Sequence, residues 1–255
     1  TVTATGVNKV YDGTTTATVT LSTDALGGDD VTASYGGAAF ADKNVGAGKA
    51  VSVTGISIGG TDASNYNLLN TTESTTADIT QKALTITAQT NTKTYDGDTS
   101  AAAAPLVSGL VGTDTVTGLA EAYDNKNAGT GKTLSVTGYT INDGNGGNNY
   151  SVTLVTDSTG VITQRDLTVT ATGVNKVYDG TTTATVTLST DAVGGDDVTA
   201  SYVGAAFADK NVGSGKAVSV TGISIGGTDA ANYNLLNTTE STTADITQKA
   251  LTITA

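Results

Sequence analysis

The sequence of 255 residues repeats itself, and this self-similarity constrains the fold more than any other feature. Residues 1–88 match residues 168–255 at all but four positions. A more divergent copy lies between them, and the tripeptide Tyr-Asp-Gly marks all three copies, beginning at Tyr11, Tyr95 and Tyr178. Self-similarity at a fixed period is typical of tandem-repeat proteins. We therefore predict three tandem repeats, not one or two large domains.

Each predicted repeat ends shortly after the segment Ile-Thr-Gln, which occurs once in every copy. The predicted repeats span residues 1–83, 84–166 and 167–250. Residues 251–255 restate the opening of a repeat and are predicted to be the first strand of a further one, in a longer array. The last strand of one repeat then runs into the first strand of the next with almost no linker. We expect a semi-rigid rod, since flexible arrays use Gly/Ser linkers.

Within each repeat, apolar residues alternate with Thr or Ser, as in residues 17–21 and 31–35. This alternation predicts strands with one buried face. No long stretch shows the 3.6-residue period of a helix, and residues 38–44 are the one candidate for a helical turn. The alternation slips by one residue at a glycine in each copy, which predicts a bulge or bend. These glycines are Gly55, Gly138 and Gly222.

At the boundary between repeats 1 and 2, the residues predicted to face inward change from odd-numbered to even-numbered positions near Lys82. We call this the change of parity. The inward-facing residues are Ala77, Ile79, Leu84, Ile86 and Ala88.

Asp12 and Gly13 lie between two extended runs, and Asp-Gly in that setting predicts a hairpin turn because Gly adopts positive φ at little cost. The spacing of this and other Gly-rich turns predicts about six or seven short strands per repeat. We predict an all-β chain of three tandem, elongated β-sandwich-like repeats arranged in a rod. The alternative is a β-grasp-like unit with one short helix in each repeat.

The composition excludes several classes of function. The chain has no Cys and no His, which removes disulfides, thiolate metal sites and the commonest general base. Its net charge of −12 repels nucleic acids and anionic membranes. No stretch reaches the roughly 18 apolar residues of a membrane helix. We therefore predict a non-enzymatic chain without catalytic, cofactor or metal residues, nucleic-acid partners or membrane insertion.

The most prominent motifs have structural interpretations. In the tripeptide, Tyr11 is predicted to pack, Asp12 to bond the turn backbone and Gly13 to supply the turn geometry. The functional alternative is a ligand contact made by the ring and the carboxylate. An Asn-Tyr pair that recurs once per repeat is interpreted as a turn Asn followed by a core Tyr. These pairs are Asn65-Tyr66, Asn149-Tyr150 and Asn232-Tyr233.

Acidic turns are the candidate sites for a structural Ca²⁺, which takes oxygen ligands. The candidate donors recur at similar places in the copies: Asp29, Asp30 and Asp62, then Asp114 and Asp143, then Asp196, Asp197 and Asp229. Neither an EF-hand loop nor a Gly-rich nonapeptide repeat is present. We predict solvated, turn-forming aspartates and no cofactor, with structural Ca²⁺ as the alternative left open.

Lys43 opens a motif, Lys-Asn followed by Gly-Lys, that recurs at Lys126 and Lys210. The motif lacks the spacing of a phosphate-binding P-loop, and no helix is predicted after it, so nucleotide binding is excluded. In repeat 2 the preceding residues are Asp124 and Asn125, which departs from the other copies and weakens any prediction of a ligand site there.

Four separated motifs occur in one order: KVYDGTT at 9–15, FADKNVGAGKAVSVTG at 40–55, DASNYNL at 62–68 and ADITQK at 77–82. They recur with variations in each copy, and together they resemble the YDG-type repeat of very large bacterial surface proteins. These include filamentous-haemagglutinin-like and other fibrillar adhesins. The resemblance implies secretion, display at the cell surface and a stalk role, with binding located in other domains.

From this resemblance we expect a non-enzymatic spacer of a secreted adhesin, active in cell adhesion and biofilm. Its partners would be its own neighbouring repeats and, through other domains, host or matrix glycans and proteins. The alternative is that each repeat itself binds a glycan or host protein. Binding that rises with repeat number would favour that alternative.

Overall fold

The chain forms strands where apolar residues alternate with Thr or Ser, because β-branched and small polar residues fit a half-buried pleated surface. The computed structural model describes residues 1–254. Strands β1 to β8 are Val2–Val7, Lys9–Val10, Thr18–Thr23, Thr32–Ser34, Gly37–Phe40, Gly46–Thr54, Ser57–Gly59 and Thr72–Thr80. Strands β9 to β15 are Lys82–Thr87, Thr92–Thr94, Leu106–Ser108, Thr115–Tyr123, Gly129–Asn142, Tyr150–Val155 and Asp157–Thr163. Strands β16 to β25 are Arg165–Leu167, Val169–Val174, Lys176–Val177, Thr185–Thr190, Thr199–Ser201, Gly204–Phe207, Gly213–Thr221, Ser224–Gly226, Tyr233–Leu235 and Thr239–Thr247. The predicted all-β class is confirmed.

Helical structure within residues 1–254 is limited to two 3-10 turns, Ala63–Asn65 and Ala230–Asn232. The helical turn predicted at residues 38–44 is wrong. Strand β5 ends there at Phe40, paired with Val51 of β6, so its backbone groups are committed to a ladder. Since the described part of repeat 2 has no helical turn, the alternative of a helix-bearing β-grasp unit in every repeat does not hold.

Repeats 1 and 3 share one arrangement of strands. In repeat 1 a four-stranded sheet has the order β2-β8-β6-β5, with β2 parallel to β8 and the other neighbours antiparallel. Strand β1 pairs antiparallel with β3, and β4 with β7. Repeat 3 has the equivalent sheet β18-β25-β22-β21 and the pairs β17–β19 and β20–β23. Its strand β24 also pairs in parallel with β16, which crosses the predicted boundary between repeats 2 and 3.

In repeat 2 the strands form a four-stranded sheet of order β10-β15-β13-β12 and a three-stranded sheet of order β11-β9-β14. The opening strand β9 is antiparallel to β11 and parallel to β14.

Close contacts divide the chain into two compact units. Unit 1 contains residues 1–89, 103–121 and 135–156, and unit 2 contains residues 90–102, 122–134 and those from 157 onward. Repeat 2 is thus shared between the units. Repeats and compact units are different divisions of the chain, and the repeat limits given above stay a prediction. Residues 251–254 form no strand, so the first strand of a further repeat also stays a prediction.

The change of parity between repeats 1 and 2 is confirmed. Strand β8 ends at Thr80 and β9 begins at Lys82, so a single residue, Gln81, separates them. The five residues predicted to face inward are all buried: Ala77, Ile79, Leu84, Ile86 and Ala88. Leu84 lies in the same apolar core as Val51 and Val53 of repeat 1. The core of unit 1 therefore continues from repeat 1 into the opening strand of repeat 2.

Gly55 marks the point where the chain leaves the four-stranded sheet of repeat 1. Strand β6 ends at Thr54 and β7 begins at Ser57 in a different ladder, and Gly55 has a φ of +65°. Gly222 has the same place and a φ of +68° in repeat 3. The predicted bend is confirmed in these two repeats. In repeat 2 the equivalent Gly138 lies inside the continuous strand β13.

The Asp-Gly of the tripeptide is not the turn of a two-stranded hairpin, so that prediction is wrong. It follows β2, which pairs with β8, and precedes β3, which pairs with β1 in another sheet. The Lys9 ammonium holds this crossing, since it donates to Asp12 Oδ1 at 2.8 Å and to the carbonyls of Thr14 and Thr16 at 2.9 Å. Asp12 Oδ1 accepts from the Thr14 N–H at 2.9 Å, and Gly13 has a φ of +78°.

Candidate functional site at the repeat junctions

In unit 1 the tyrosine of the first tripeptide is buried where side chains of repeats 1 and 2 meet. Tyr11 is 1% exposed, and its hydroxyl donates to Asp114 Oδ2 at 2.9 Å. The Tyr150 hydroxyl donates to the same oxygen at 2.7 Å. The two rings pack edge-to-face with centroids 5.5 Å apart, a favourable aromatic geometry. One carboxylate of repeat 2 therefore joins two tyrosines from consecutive repeats, and we call this cluster junction 1.

Unit 2 contains the equivalent cluster between repeats 2 and 3, which we call junction 2. The hydroxyls of Tyr95 and Tyr233 donate to Asp196 Oδ2 at 2.7 and 2.6 Å. Their rings pack edge-to-face with centroids 5.4 Å apart. The same residue types in the same register thus form both junctions.

A lysine from the earlier repeat brings a positive charge to each carboxylate. In junction 2 the Lys126 ammonium lies 2.8 Å from Asp196 Oδ1 and 3.1 Å from Asp229 Oδ1. In junction 1 the Lys43 ammonium lies 3.8 Å from Asp114 Oδ1. Each ammonium also lies within 6 Å of the ring centroid of the tripeptide tyrosine, at a distance suited to a cation–π contact.

An asparagine side chain of the later repeat satisfies the backbone of the earlier one. Asn149 is fully buried, and its Oδ1 accepts from the Val45 N–H at 3.0 Å. In unit 2, Asn232 Oδ1 accepts from the Ala128 N–H at 2.9 Å. Because a buried backbone N–H without a partner is costly, this contact fixes how the two repeats meet.

Two further motif residues contribute to junction 1. The Gln81 amide, which ends the Ile-Thr-Gln segment, donates to the carbonyls of Asn148 and Tyr150 at 3.1 Å each. Gly13 approaches repeat 2 so closely that a Cβ atom there would lie 3.2 Å from Val111 Cγ1. The short connection and the small residue therefore both favour direct packing of the two repeats.

Burial and the shared carboxylates shift the acid–base properties of the junctions. Burial, together with donation to aspartate, raises the pKa of Tyr11 and Tyr95 above 10.0 and that of Tyr233 to about 12. Burial alone would raise the pKa of Asp196, but hydrogen bonds from Lys126, Tyr233 and Tyr95 hold it below its ordinary value. The geometry therefore favours neutral tyrosines around an ionised aspartate.

We expect junction 2 to weaken between about pH 10 and pH 12. An unfolded tyrosine releases its proton near pH 10.0, whereas Tyr233 in the fold retains it to about pH 12. A pKa that is raised on folding contributes stability that is complete below the unfolded value and is lost as the pH rises through the folded value. Tyrosinate absorbance and circular dichroism, recorded together, measure this. Ionisation of every tyrosine in one step near pH 10 with the fold retained would contradict it.

The acidic residues considered as calcium ligands have other contacts in the fold. Asp30 Oδ2 accepts from the N–H and the hydroxyl of Thr61 at 3.0 Å, and Asp143 accepts from the N–H groups of Asn145, Gly147 and Asn149. Among residues 1–254, no group of three or more acidic side chains is arranged to hold a metal ion. No helix in the same described range has both the length and the apolar character needed to cross a lipid bilayer.

The tyrosines of both motifs are predicted to pack, and this is confirmed for the four that lie in the junctions: Tyr11, Tyr95, Tyr150 and Tyr233 are buried. It is wrong for Tyr66 as a core residue, and Tyr178 is also only half-buried, because no other repeat within residues 1–254 packs against either ring. The sequence analysis did not identify that the junction tyrosines share a carboxylate across a repeat boundary. The available signal was the recurrence of an aspartate at one position of every copy, Asp29, Asp114 and Asp196, always with the two tyrosine motifs.

The comparison with protein families bears directly on these motifs. The YDG domain matches the chain three times in tandem, over residues 1–76, 80–159 and 163–244. The chain belongs to the YDG domain family. Its three YDG domains therefore account for nearly all of the sequence. In the first and second domains, the tyrosine of the Tyr-Asp-Gly tripeptide donates the hydrogen bond that forms a junction with the next domain.

No curated protein matches these YDG domains. Among solved structures, the crystal structure of Drosophila N-cadherin EC1-4 matches 96% of this chain and 74% of its own, at 9% identity and a TM-score of 0.25. At that TM-score the match supports no inference about the YDG domains.

Proposed function

We propose that this tandem YDG chain is a non-enzymatic stalk segment of a secreted bacterial surface adhesin, which projects binding domains away from the cell. The observation that carries the proposal is the use made of the tripeptide tyrosine. In junctions 1 and 2 its hydroxyl donates to an aspartate of the next repeat, Asp114 or Asp196, and its ring packs against a tyrosine of that repeat. A motif that bonds consecutive repeats suits a spacer.

The connections between repeats support the same proposal. Strand β8 reaches β9 through Gln81 alone, and β15 reaches β16 through Gln164 alone. Gln164 Nε2 donates to the Ala231 carbonyl at 3.0 Å, as Gln81 does to its own partners in unit 1. One-residue connections whose side chains are hydrogen-bonded restrict bending between repeats. A stalk requires such stiffness. The net charge of −12 favours a soluble, self-repelling segment.

Small-angle scattering of the 255-residue chain is expected to show an elongated particle. If each repeat spans at least ~30 Å along its strands, three repeats reach on the order of 100 Å, with a radius of gyration of about 30 Å. A compact globule of the same length would have a radius of gyration of about 18 Å. A measured value near 18 Å would rule out the stalk. We expect the same length with and without Ca²⁺.

A glycan array and a host-matrix binding assay test the alternative on the same sample. The stalk predicts no binding by the three repeats alone. Binding that increases from one repeat to three would support the binding-module alternative instead.

A further inference from the structure

In each repeat, a strand close to its start runs parallel beside a strand close to its end. Leading into repeat 3, β16 pairs in parallel with β24, and further along β18 pairs in parallel with β25. We call residues 165–178 the opening segment and residues 233–247 the closing segment. Residue numbers rise together along both ladders, so the two segments point in the same direction.

Side-chain amides continue this pairing between the two ladders. Asn237 bonds both backbone groups of Val169, since its Oδ1 accepts from the Val169 N–H at 2.9 Å and its Nδ2 donates to the Val169 carbonyl at 2.8 Å. Asn175 Oδ1 accepts from the Asp245 N–H at 2.7 Å. The opening and closing segments are therefore bonded at several points along their length, and we call this set of bonds the parallel clamp.

The parallel clamp recurs in repeat 1. Asn70 bonds the N–H and the carbonyl of Val2 at 3.0 and 2.7 Å, and Asn8 Oδ1 accepts from the Asp78 N–H at 2.7 Å. Strand β2 is parallel to β8, as β18 is to β25.

Repeat 2 has parallel pairing of the same kind in each compact unit. Strand β9 is parallel to β14 in unit 1, and β10 is parallel to β15 in unit 2. Its sequence diverges from that of the other copies, so the retained pairing belongs to the repeat and not to one copy.

The direction of the strands determines how a pulling force acts on these bonds. A force that draws residue 165 backward and residue 249 forward moves two parallel segments in opposite directions along one axis. The ladder bonds run across the strands, so they are loaded sideways and must break together. Antiparallel segments would place both loaded residues at one end of the ladder, and the bonds would break one at a time.

We propose that each repeat bears tensile load through its parallel clamp. In repeat 3 the load passes from the opening segment to the closing segment through the two ladders and the asparagine bonds. This further function does not rest on the stalk, since scattering measures the length of the chain and a force measurement tests the clamp.

The test pulls repeat 3 within the full chain in two directions by single-molecule force spectroscopy. The chain has no cysteine, so handles attach only at introduced ones. Arg165→Cys with Lys249→Cys places the handles at opposite ends of the parallel clamp and loads it in shear. Thr182→Cys with Lys249→Cys places both handles beyond the end where β18 and β25 finish, so the clamp opens from that end. All three side chains are exposed.

The unfolding force at equal pulling speed should be about twofold or more higher in the shear direction. Bonds that break together present a higher barrier to forced unfolding than bonds that break singly, and forced unfolding is governed by that barrier. Equal forces in the two directions, or a lower force in shear, would overturn the proposal.

Adding Asn237→Ala to each cysteine pair tests the clamp itself. The substitution removes both bonds to Val169, which lie at the end of the clamp that opens last when the handles are at residues 182 and 249. We therefore expect a lower unfolding force in shear and an unchanged force in the other direction. Circular dichroism checks that each variant is folded before pulling. An unchanged force in shear, or an equal loss in both directions, would show that the clamp does not carry the load.

Discussion

Replacing Asp196 with Ala is expected to destabilise unit 2 by about 2–4 kcal/mol. The Asp196 side chain is 4% exposed and accepts hydrogen bonds from Tyr95, Tyr233 and Lys126. Removing the carboxylate leaves two tyrosine hydroxyls and an ammonium without their acceptor. Loss of one member of a buried ion pair costs about 3–5 kcal/mol. We expect the smaller range of about 2–4 kcal/mol for Asp196→Ala, because the Lys126 side chain is 35% exposed and water can solvate it.

The matched control for Asp196→Ala is Asp29→Ala. Both residues have the same place in almost identical repeats, but Asp29 is exposed. Its loss should change the free energy of unfolding by no more than about 0.5 kcal/mol. Urea unfolding followed by circular dichroism at low protein concentration measures both variants. Similar losses for the two would show that the shared carboxylate does not stabilise junction 2.

Replacing Gly173 with Ala is expected to cost about 2–3 kcal/mol, because β17 passes unusually close to β25. A Cβ atom at Gly173 would lie 2.4 Å from the Thr243 carbonyl oxygen and 2.9 Å from the Ala244 Cβ. The first of these is a backbone atom and cannot rotate away, so the two strands must separate.

Gly194→Ala is the control for this substitution, because nothing lies within 4 Å of a Cβ atom there. It should leave the stability unchanged or raise it slightly, since alanine restricts the unfolded chain more than glycine does. The urea midpoint of each variant decides between these outcomes. A neutral Gly173→Ala would mean that β17 is not held against β25 as tightly as the distance indicates.

The sequence predicts those features that depend on neighbouring residues. Alternation along the chain identifies which side chains of β8 and β9 face inward, and it even locates the change of parity near Lys82. The prediction of an Asp-Gly hairpin is wrong because strand pairing does not depend on neighbouring residues alone. Asp12 and Gly13 do make a turn, but the partner of each flanking strand is set elsewhere in the chain.

The junctions lie beyond local pattern altogether. Tyr11 and Asp114 are 103 residues apart. Asp29 and Asp196 have almost the same neighbours in sequence, but Asp29 is exposed while the side chain of Asp196 is buried. What differs is whether another repeat supplies a tyrosine and a lysine, and no window of sequence around the aspartate contains that information.

Each repeat carries both halves of a junction, and this has a genetic consequence. One half is the tyrosine and lysine that contact the next repeat, and the other is the aspartate and tyrosine that receive the previous one. An in-frame duplication of one repeat adds one domain and one complete junction, because the new copy receives its predecessor and binds its successor with residues it already has. A deletion of one whole repeat brings two complementary halves together in the same way. The number of repeats can therefore change in a single event without any compensating substitution.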